Sequence, residues 1–291
     1  MDGLRIILLA KQVPDTRNVG KEAMKADGTV NRGALPAVYN PDDLHALEQA
    51  LRIKDKYPGT TITLLTMGPE RAAEIIREAL YRGVDNGYLL TDRAFAGSDT
   101  LATSYAISMA IRKLGEFDLI MCGRQAIDGD TAQVGPQVAE KLNLPQITYV
   151  EEISKISKQK ISVKRRVENG TELLEAPLPS LITINDTAPE CRPRNAKRLM
   201  TYKRASTVGE IQEASEDYIE LYNQRPYLTI QELGAEEINA DNEKLGLSGS
   251  PTKVKKIESI VFTAKETKQL TDSSEDIDSL IQELIANHNL G

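Results

Sequence analysis

The stretch Leu119-Ile120-Met121-Cys122, followed by Gly123-Arg124-Gln125-Ala126-Ile127-Asp128-Gly129-Asp130-Thr131, decides the fold. Four apolar residues in a row, without polar alternation, read as a strand covered on both faces. The turn after them is rich in glycine and carboxylates. Asp130 or Thr131 then opens a helix whose inward residues are Val134, Val138 and Leu142. The same unit recurs along the first half of the chain. Residues 4–10, 61–66, 87–90 and 147–150 read as further apolar strands. Asn40-Pro41-Asp42-Asp43 offers an N-cap side chain, a proline at the first helical position and two carboxylates in the first turn, with Leu44, Leu47 and Leu51 following at helical spacing. Pro69 opens a second helix with Ala73, Ile76 and Leu80 on one face. Ser98 or Asp99 opens a third, with Leu101, Tyr105 and Met109 in line. Strands alternating with helices in this way predict an α/β layer fold built on a doubly wound parallel sheet.

The pattern changes after residue 150. Residues 153–161, 163–167 and 173–175 read as antiparallel pieces with a turn at Glu168-Asn169-Gly170, and 181–184 as another strand. From Asp186 to about Ser259 the periodicity fades. This irregular stretch carries the basic cluster Arg192, Arg194, Lys197, Arg198, Lys203 and Arg204, which reads either as a solvated loop or as a surface for a partner. Ser273-Ser274-Glu275 opens a last amphipathic helix through Ile277, Leu280, Ile281 and Leu284.

Composition narrows the function. The 291 residues carry a formal net charge of -7, which argues against a general nucleic-acid binder. Aromatic residues make up 4% with no Trp, too few for a base-stacking platform. Two cysteines, Cys122 and Cys191, and two histidines, His45 and His288, supply neither a disulfide framework nor a metal centre nor a His-dependent triad. His45 reads as structural, His288 as inert and Cys122 as a small core residue. Cys191, among basic residues, is the one thiol for which a lowered pKa is conceivable. No apolar run is long enough for a signal-peptide core or a membrane span, and a cytoplasmic location is expected.

In an open parallel sheet, ligands bind beyond the carboxyl ends of the strands. Those ends are followed here by Lys11 to Thr16, by Met67-Gly68-Pro69, by Asp92 to Thr100 and by Gly123 to Thr131. Small residues and helix starts in such turns suit a phosphate. Neither G-x-G-x-x-G nor a Walker A sequence is present, and the same residues also make ordinary caps and turns. The Asp128/Asp130 pair suits general acid–base work, helix capping or ribose binding.

At these turns, and over most of its length, the sequence resembles the β subunit of electron transfer flavoprotein. Lys11-Gln12-Val13-Pro14-Asp15, Asn40 to Asp43, Met67-Gly68-Pro69 and the run GRQAIDGDTAQVG from Gly123 to Gly135 fall in that family's order and spacing. A further match runs from Val163 to Thr183 and departs at Asn169, where an acidic residue or glycine is usual. The resemblance implies an adenine-nucleotide-hydrolase-like α/β domain, paired with a flavin-carrying α subunit. In the simple electron carriers of this family the β subunit holds a structural AMP. In the electron-bifurcating branch the same pocket holds a complete FAD, at which NADH is oxidised or NAD⁺ reduced. The runs Asp92 to Ser104 and Gly129 to Gly135 resemble the bifurcating branch.

The family pattern then implies the binding residues. Leu9, Ala10, Lys11, Asn40, Asp43 and Met67 fall on the nucleotide, together with Gly123, Arg124, Gln125, Ala126, Asp128, Gly129, Asp130, Thr131, Gln133 and Val134. For FAD, Gly97, Ser98, Asp99 and Thr100 would admit the diphosphate, and Thr100 or Thr103 would hydrogen-bond the flavin. The stretch Asp186 to Arg204 corresponds to the loop that anchors a partner dehydrogenase of acyl-CoA, enoyl-CoA or lactate type, with Arg194, Lys197, Leu199 and Met200 as the candidate contacts. Gly246-Leu247-Ser248-Gly249-Ser250-Pro251-Thr252 resembles the start of a C-terminal arm that wraps the α subunit. The expected organisation is therefore an α/β domain over residues 1–200, including the antiparallel extension, and an arm over 201–291. No iron–sulfur cysteine set is present, so ferredoxin would be a separate partner. Two alternatives stay open: a non-bifurcating carrier subunit holding AMP, and a nucleotide-sensing α/β module without redox chemistry.

Overall fold

A computed structural model describes residues 3–15, 36–214, 216–252 and 269–286, with the side chains of 216–218 left aside. His288 and Thr16 lie outside the described residues. The chain divides into two compact units, Met1–Lys255 and Lys256–Gly291.

The first unit is built on a sheet of ten strands among the described residues. The apolar runs become β1 (Arg5–Leu9), β4 (Thr61–Met67), β5 (Asn86–Leu90), β6 (Leu119–Gly123) and β10 (Ser180–Ile184). Alternate residues of β1 feed two separate cores: Ile6 and Leu8 on one face, Ile7 and Leu9 on the other. On the first face lie α1 (Pro41–Lys56) and α2 (Ala73–Arg82), which bury Leu47, Leu51, Ile76 and Leu80. On the second lie α3 (Thr100–Leu114) and α4 (Val134–Leu142), which bury Ile107, Ile111 and Val138. Each fully buried Leu or Ile contributes about 1.5–3 kcal/mol. A strand wanting apolar residues on both faces cannot alternate, which is why these runs are continuous.

The strand order is β11-β12-β5-β4-β1-β6-β10-β7-β8-β9, where β7 is Gln146–Ile156, β8 Lys160–Val167, β9 Gly170–Pro177, β11 Ser206–Thr207 and β12 Thr229–Leu233. All neighbours from β11 to β7 are parallel; β7, β8 and β9 form the antiparallel extension. The chain winds outward from β1 through β4 to β5, then crosses by α3 to β6 on the opposite side of β1. That reversal opens a crevice at the carboxyl ends of β1 and β6.

Several expectations are corrected. Residues 153–161 are not one strand: β7 runs on to Ile156, Ser157 accepts the amides of Gln159 and Lys160 in a tight turn, and β8 begins at Lys160. The turn after β1 holds a strand of its own, β2 (Gln12–Pro14), paired antiparallel with β3 (Ala37–Tyr39). The helix α4 starts at Val134, not at Asp130 or Thr131, because Asp130 (φ 49°) and Ala132 (φ 51°) are left-handed. On α3 the innermost residues are Ala102, Ala106 and Ala110, one position beyond the Leu101–Tyr105–Met109 line; Leu101 is exposed. The stretch after Asp186 is regular in its middle: residues 196–233 form α5 (Ala196–Tyr202), β11, α6 (Val208–Glu213), α7 (Glu216–Gln224) and β12, which pairs with β5 and extends the main sheet, while 186–195 and 234–252 are mainly turns and loops.

The second unit contains α8 (Ser274–Ala286). Ser273 caps it, accepting the Asp276 amide at 3.2 Å, and its apolar stripe of Ile277, Leu280 and Ile281 is exposed. No helix among the described residues is long and apolar enough to cross a membrane.

Candidate functional site

A cleft of about 810 Å³ opens where β1 and β6 part. Its floor is the end of β1 (Leu9, Ala10, Lys11), the end of β4 (Met67) and the end of β6 (Cys122, Gly123). One wall is the loop after β6, with Arg124, Gln125, Ala126, Gly129, Thr131 and Gln133 leading into Val134. Phe95, Gly97, Asp99, Thr100 and Thr103 form another, and Asp43 reaches in from α1. The sequence-derived candidates thus converge on one cleft. Asn40, Asp128 and Asp130 are not among its lining residues.

These three hold the loop through hydrogen bonds. Asn40 sits at the N-cap position of α1 but makes no capping bond; its amide donates to the Gln125 carbonyl at 2.8 Å and its oxygen accepts the Ile127 amide at 3.2 Å. The N-cap reading of its side chain is therefore corrected: the side chain is drawn to the loop. Asp128 accepts both bonds from the Lys11 amine, each 2.8 Å, tying the loop to the end of β1. Asp130 accepts from the Gln125 amide at 2.8 Å and does not cap α4.

Asp43 fastens the floor. Its two oxygens accept the backbone N–H of Gly123 and of Lys11, each at 2.9 Å. Burial pushes its carboxyl up to about 7, against the opposing pull of those two N–H donors. Gly123 permits the approach: a Cβ there would stand 2.5 Å from the Asp42 carbonyl carbon and 2.6 Å from the Asp43 nitrogen. Neighbouring Asp42 is raised by burial, opposed by the Arg124 guanidinium, whose Nε lies 3.4 Å away. Arg124 also lies over the Tyr149 ring at 6.0 Å.

The two helix starts beside the cleft differ. At α3, Asp99 Oδ1 accepts the amides of Leu101 (2.9 Å) and Ala102 (3.1 Å). Asp99 Oδ2 accepts from the Thr252 hydroxyl (2.7 Å) and amide (3.1 Å). Burial acts to raise this carboxyl, but the bonds from Thr252, Ala102 and Leu101 outweigh it and hold it low. At α4 the N-cap residue Gln133 makes no side-chain capping bond, and Val134 and Gly135 line the cleft. An uncapped start presents backbone N–H groups to an anion. Gly135 lets it sit close to the strand ends, since a Cβ there would lie 2.9 Å from Cys122 Sγ. A Cβ on Gly129 would meet no protein atom within 4 Å. Thr100 donates to Gln133 at 2.8 Å, joining the two starts.

Phe95, Cys122, Ala132, Gly135 and Thr252 also line the cleft and were not among the sequence candidates. Phe95 and Gly135 fall inside the quoted runs. Cys122 ends a strand already read as core, and Thr252 lies in the run that resembles the start of an arm, with no local sign of the cleft.

Arg192, Arg194 and Arg198 of the basic cluster are engaged within the chain, while Arg194, Lys197, Lys203 and Arg204 are exposed. Arg192 meets Glu48 through Nε (2.9 Å) and Nη2 (3.0 Å), and Asp55 through Nη1 (2.7 Å). Arg194 pairs with Glu78, and Arg198 donates to the Leu80 carbonyl at 2.7 Å. Lys197 and Met200 are exposed on α5, with Leu199 half-buried. The expectation of a lowered Cys191 pKa is corrected: burial pushes this thiol up to about 11. Burial raises Cys122 as well. Among the described residues no cluster of His, Cys, Asp and Glu could hold a metal ion.

Comparison with known proteins agrees with this architecture. Residues 27–215 match the model of the electron transfer flavoprotein domain. The chain is 44% identical to the caffeyl-CoA reductase-Etf complex subunit CarD of Acetobacterium woodii, over 86% of each chain. It is 40% identical to an electron transfer flavoprotein subunit beta of Megasphaera elsdenii, over 97% of this chain and 98% of that one. It is 45% identical to the acryloyl-CoA reductase electron transfer subunit gamma of Anaerotignum propionicum, over 86% of each. The cleft, the doubly wound sheet and these similarities together place the chain in the electron transfer flavoprotein family, as a β-type electron-transfer subunit.

Proposed function

We propose that the chain is the β subunit of a bifurcating or confurcating electron transfer flavoprotein. Its cleft would hold FAD together with the NAD(H) that exchanges a hydride with it. The complex would couple NAD, ferredoxin and a partner flavoprotein dehydrogenase of acyl-CoA, enoyl-CoA or lactate type. The observation that carries this reading is the continuity of the cleft, which runs from the loop after β6 onto the Gly97–Thr103 wall. Its volume of about 810 Å³ lies in the upper range for small-molecule sites, roughly 300–1,000 Å³.

The residues present fit such a group. The uncapped start of α4 offers N–H donors for a phosphate, and Gly129 leaves room beside it. Leu9, Ala10 and Met67 give an apolar floor. Arg124 supplies a positive charge at the rim, and Thr100 and Thr103 supply hydroxyls on the far wall. When bound, FAD would supply the hydride and electron chemistry, and the chain's part would be to bind, orient and shield it. Lys197 and Met200 on α5 are the proposed contacts for the dehydrogenase, and the C-terminal unit for the α subunit. The free thiols Cys122 and Cys191 suit a reducing, cytoplasmic setting.

A second reading, a non-bifurcating carrier subunit with AMP, is favoured by one observation: the Asp99 cap already occupies two N–H groups at the start of α3. Nucleotide extraction from the purified heterodimer decides. Two FAD per heterodimer are expected; one FAD with one AMP would overturn the bifurcating reading.

A further inference from the structure

The wall of the cleft at α3 is not made by the α/β core alone. Thr252 lines it, more than a hundred residues downstream in the chain, and is delivered by the turn Gly246 to Thr252. That turn is seated closely. Gly246 has φ 52°, and a Cβ there would stand 2.4 Å from the Ala94 carbonyl oxygen; a Cβ on Gly249 would stand 2.1 Å from the Lys244 carbonyl carbon. Gly97, itself at φ 74°, lies under Leu247, 2.7 Å from where its Cβ would be. Ser250 donates to the Gly246 carbonyl at 2.6 Å and accepts the Asp99 amide at 2.8 Å. Upstream, the Tyr105 hydroxyl accepts the Asp241 amide at 2.9 Å, so the segment is also tied to the middle of α3. Two of the turn's residues meet Asp99: Ser250 accepts its amide, and Thr252 donates to its Oδ2, while its Oδ1 caps α3.

We propose that Asp99 and Thr252 form a clamp that selects ligand length: docking of the 246–252 turn completes the α3 wall and favours an extended dinucleotide over a mononucleotide. This rests on the reading that the cleft takes FAD. The side of the cleft formed by the ends of β1, β4 and β6 and the loop after β6 is complete without the turn, and a mononucleotide needs no more than that. The α3 side adds Gly97, Thr100 and Thr103 to the lining, with Thr252 held at Asp99. Asp99 is a positioning residue here, because its carboxylate oxygens are engaged by Leu101, Ala102 and Thr252. Its bonds to Thr252 are charge-assisted and so among the stronger of their kind.

The test uses the complete heterodimer, stripped of nucleotide and titrated separately with FAD and with AMP, as wild type, Thr252→Val, Thr252→Ser and Asp99→Asn. Thr252→Val removes one hydroxyl at an exposed position and leaves the backbone bond, so it tests the clamp even if Asp99→Asn fails to fold. The expected result is that Thr252→Val weakens FAD about tenfold, as loss of a charge-assisted bond would, and AMP less than about twofold. Thr252→Ser restores FAD binding. Equal weakening of both ligands, or of neither, would overturn the clamp. Wild type that prefers AMP to FAD would overturn the functional reading instead, and the ratio between wild type and Thr252→Val would still decide the clamp.

Discussion

Asp43, on α1, accepts the backbone N–H of Gly123 at the end of β6 across 2.9 Å, and so fastens a helix start to the strand end that borders the cleft. Asp43 is 6% exposed, and burial pushes its carboxyl up to about 7. A raised carboxyl pKa means that the folded chain holds more protons than the unfolded chain between pH 3.8 and about 7. The stability it contributes is fully present below that window and is lost as pH rises through it. Asp43→Asn removes the titration. Urea unfolding across the window is expected to show the advantage of wild type over Asp43→Asn shrinking as pH rises; an advantage that grows with pH would contradict the assignment.

Gly123 and Gly129 both line the cleft, yet substitution should act on them differently. Gly123→Ala drives a methyl into the α1 backbone and is expected to cost about 1–3 kcal/mol or more of stability. The Cβ of Gly129→Val meets no protein atom within 4 Å, so the melting temperature should stay near that of wild type while the nucleotide retained per heterodimer falls. Gly97 is a poor place for this experiment, since its φ of 74° and its contact with Leu247 mix fold with site. Full nucleotide occupancy in Gly129→Val would show that the loop after β6 does not face the ligand.

Arg192 holds Glu48, a carboxylate 4% exposed on α1. Burial acts to raise that carboxyl, but the bonds from Arg192 outweigh it and hold it below its ordinary value. Arg192→Ala leaves Glu48 with Arg52 as its remaining ion-pair partner, at 3.0 Å. A loss of about 2–3 kcal/mol in urea unfolding is expected. The loss should be largest at neutral pH and should shrink as Glu48 protonates in acid. An unchanged midpoint would mean that the basic cluster is free for a partner after all.

Both thiols should be slow nucleophiles in the native protein, because burial raises each. At neutral pH, iodoacetamide followed by mass spectrometry is expected to leave Cys122 and Cys191 unlabelled under conditions that label the urea-unfolded chain. Rapid labelling of native Cys191 would restore the reading of an activated thiol.

Strands with two apolar faces were plain in the sequence because β1, β4, β6 and β10 bury mostly Leu, Ile and Met, with a few small hydroxyl residues such as Thr66, Ser180 and Thr183 between them. The cleft was legible for a related reason: its lining follows directly from strand ends, where the chain must turn and small residues gather. The sequence hid what depends on pairing at a distance. β2 and β3 are three residues each, too short for a periodic signal. β12 shows little alternation, and β5 determines that it is a strand. Asn40 looked like a cap because its neighbours Pro41 and Asp42 fit one; the loop at Gln125 and Ile127, 85 and 87 residues away, claims its side chain instead. Likewise a run of arginines carries no sign of the buried acids it meets. Glu48 and Glu78 become visible as partners once α1 and α2 are packed.

The strand order has a consequence for biosynthesis. β10, formed by residues 180–184, lies between β6 and β7, both of which precede it in the chain. A ribosome that has released the first 170 residues has therefore presented β6 and β7 without the strand that joins them. The antiparallel hairpin must wait beside an open slot one strand wide. β10 enters that slot late, between neighbours already made, and its five residues are all buried. The sheet is closed from within rather than lengthened at its edge, so a nascent chain that stalls before residue 180 exposes two unpaired strand edges at once.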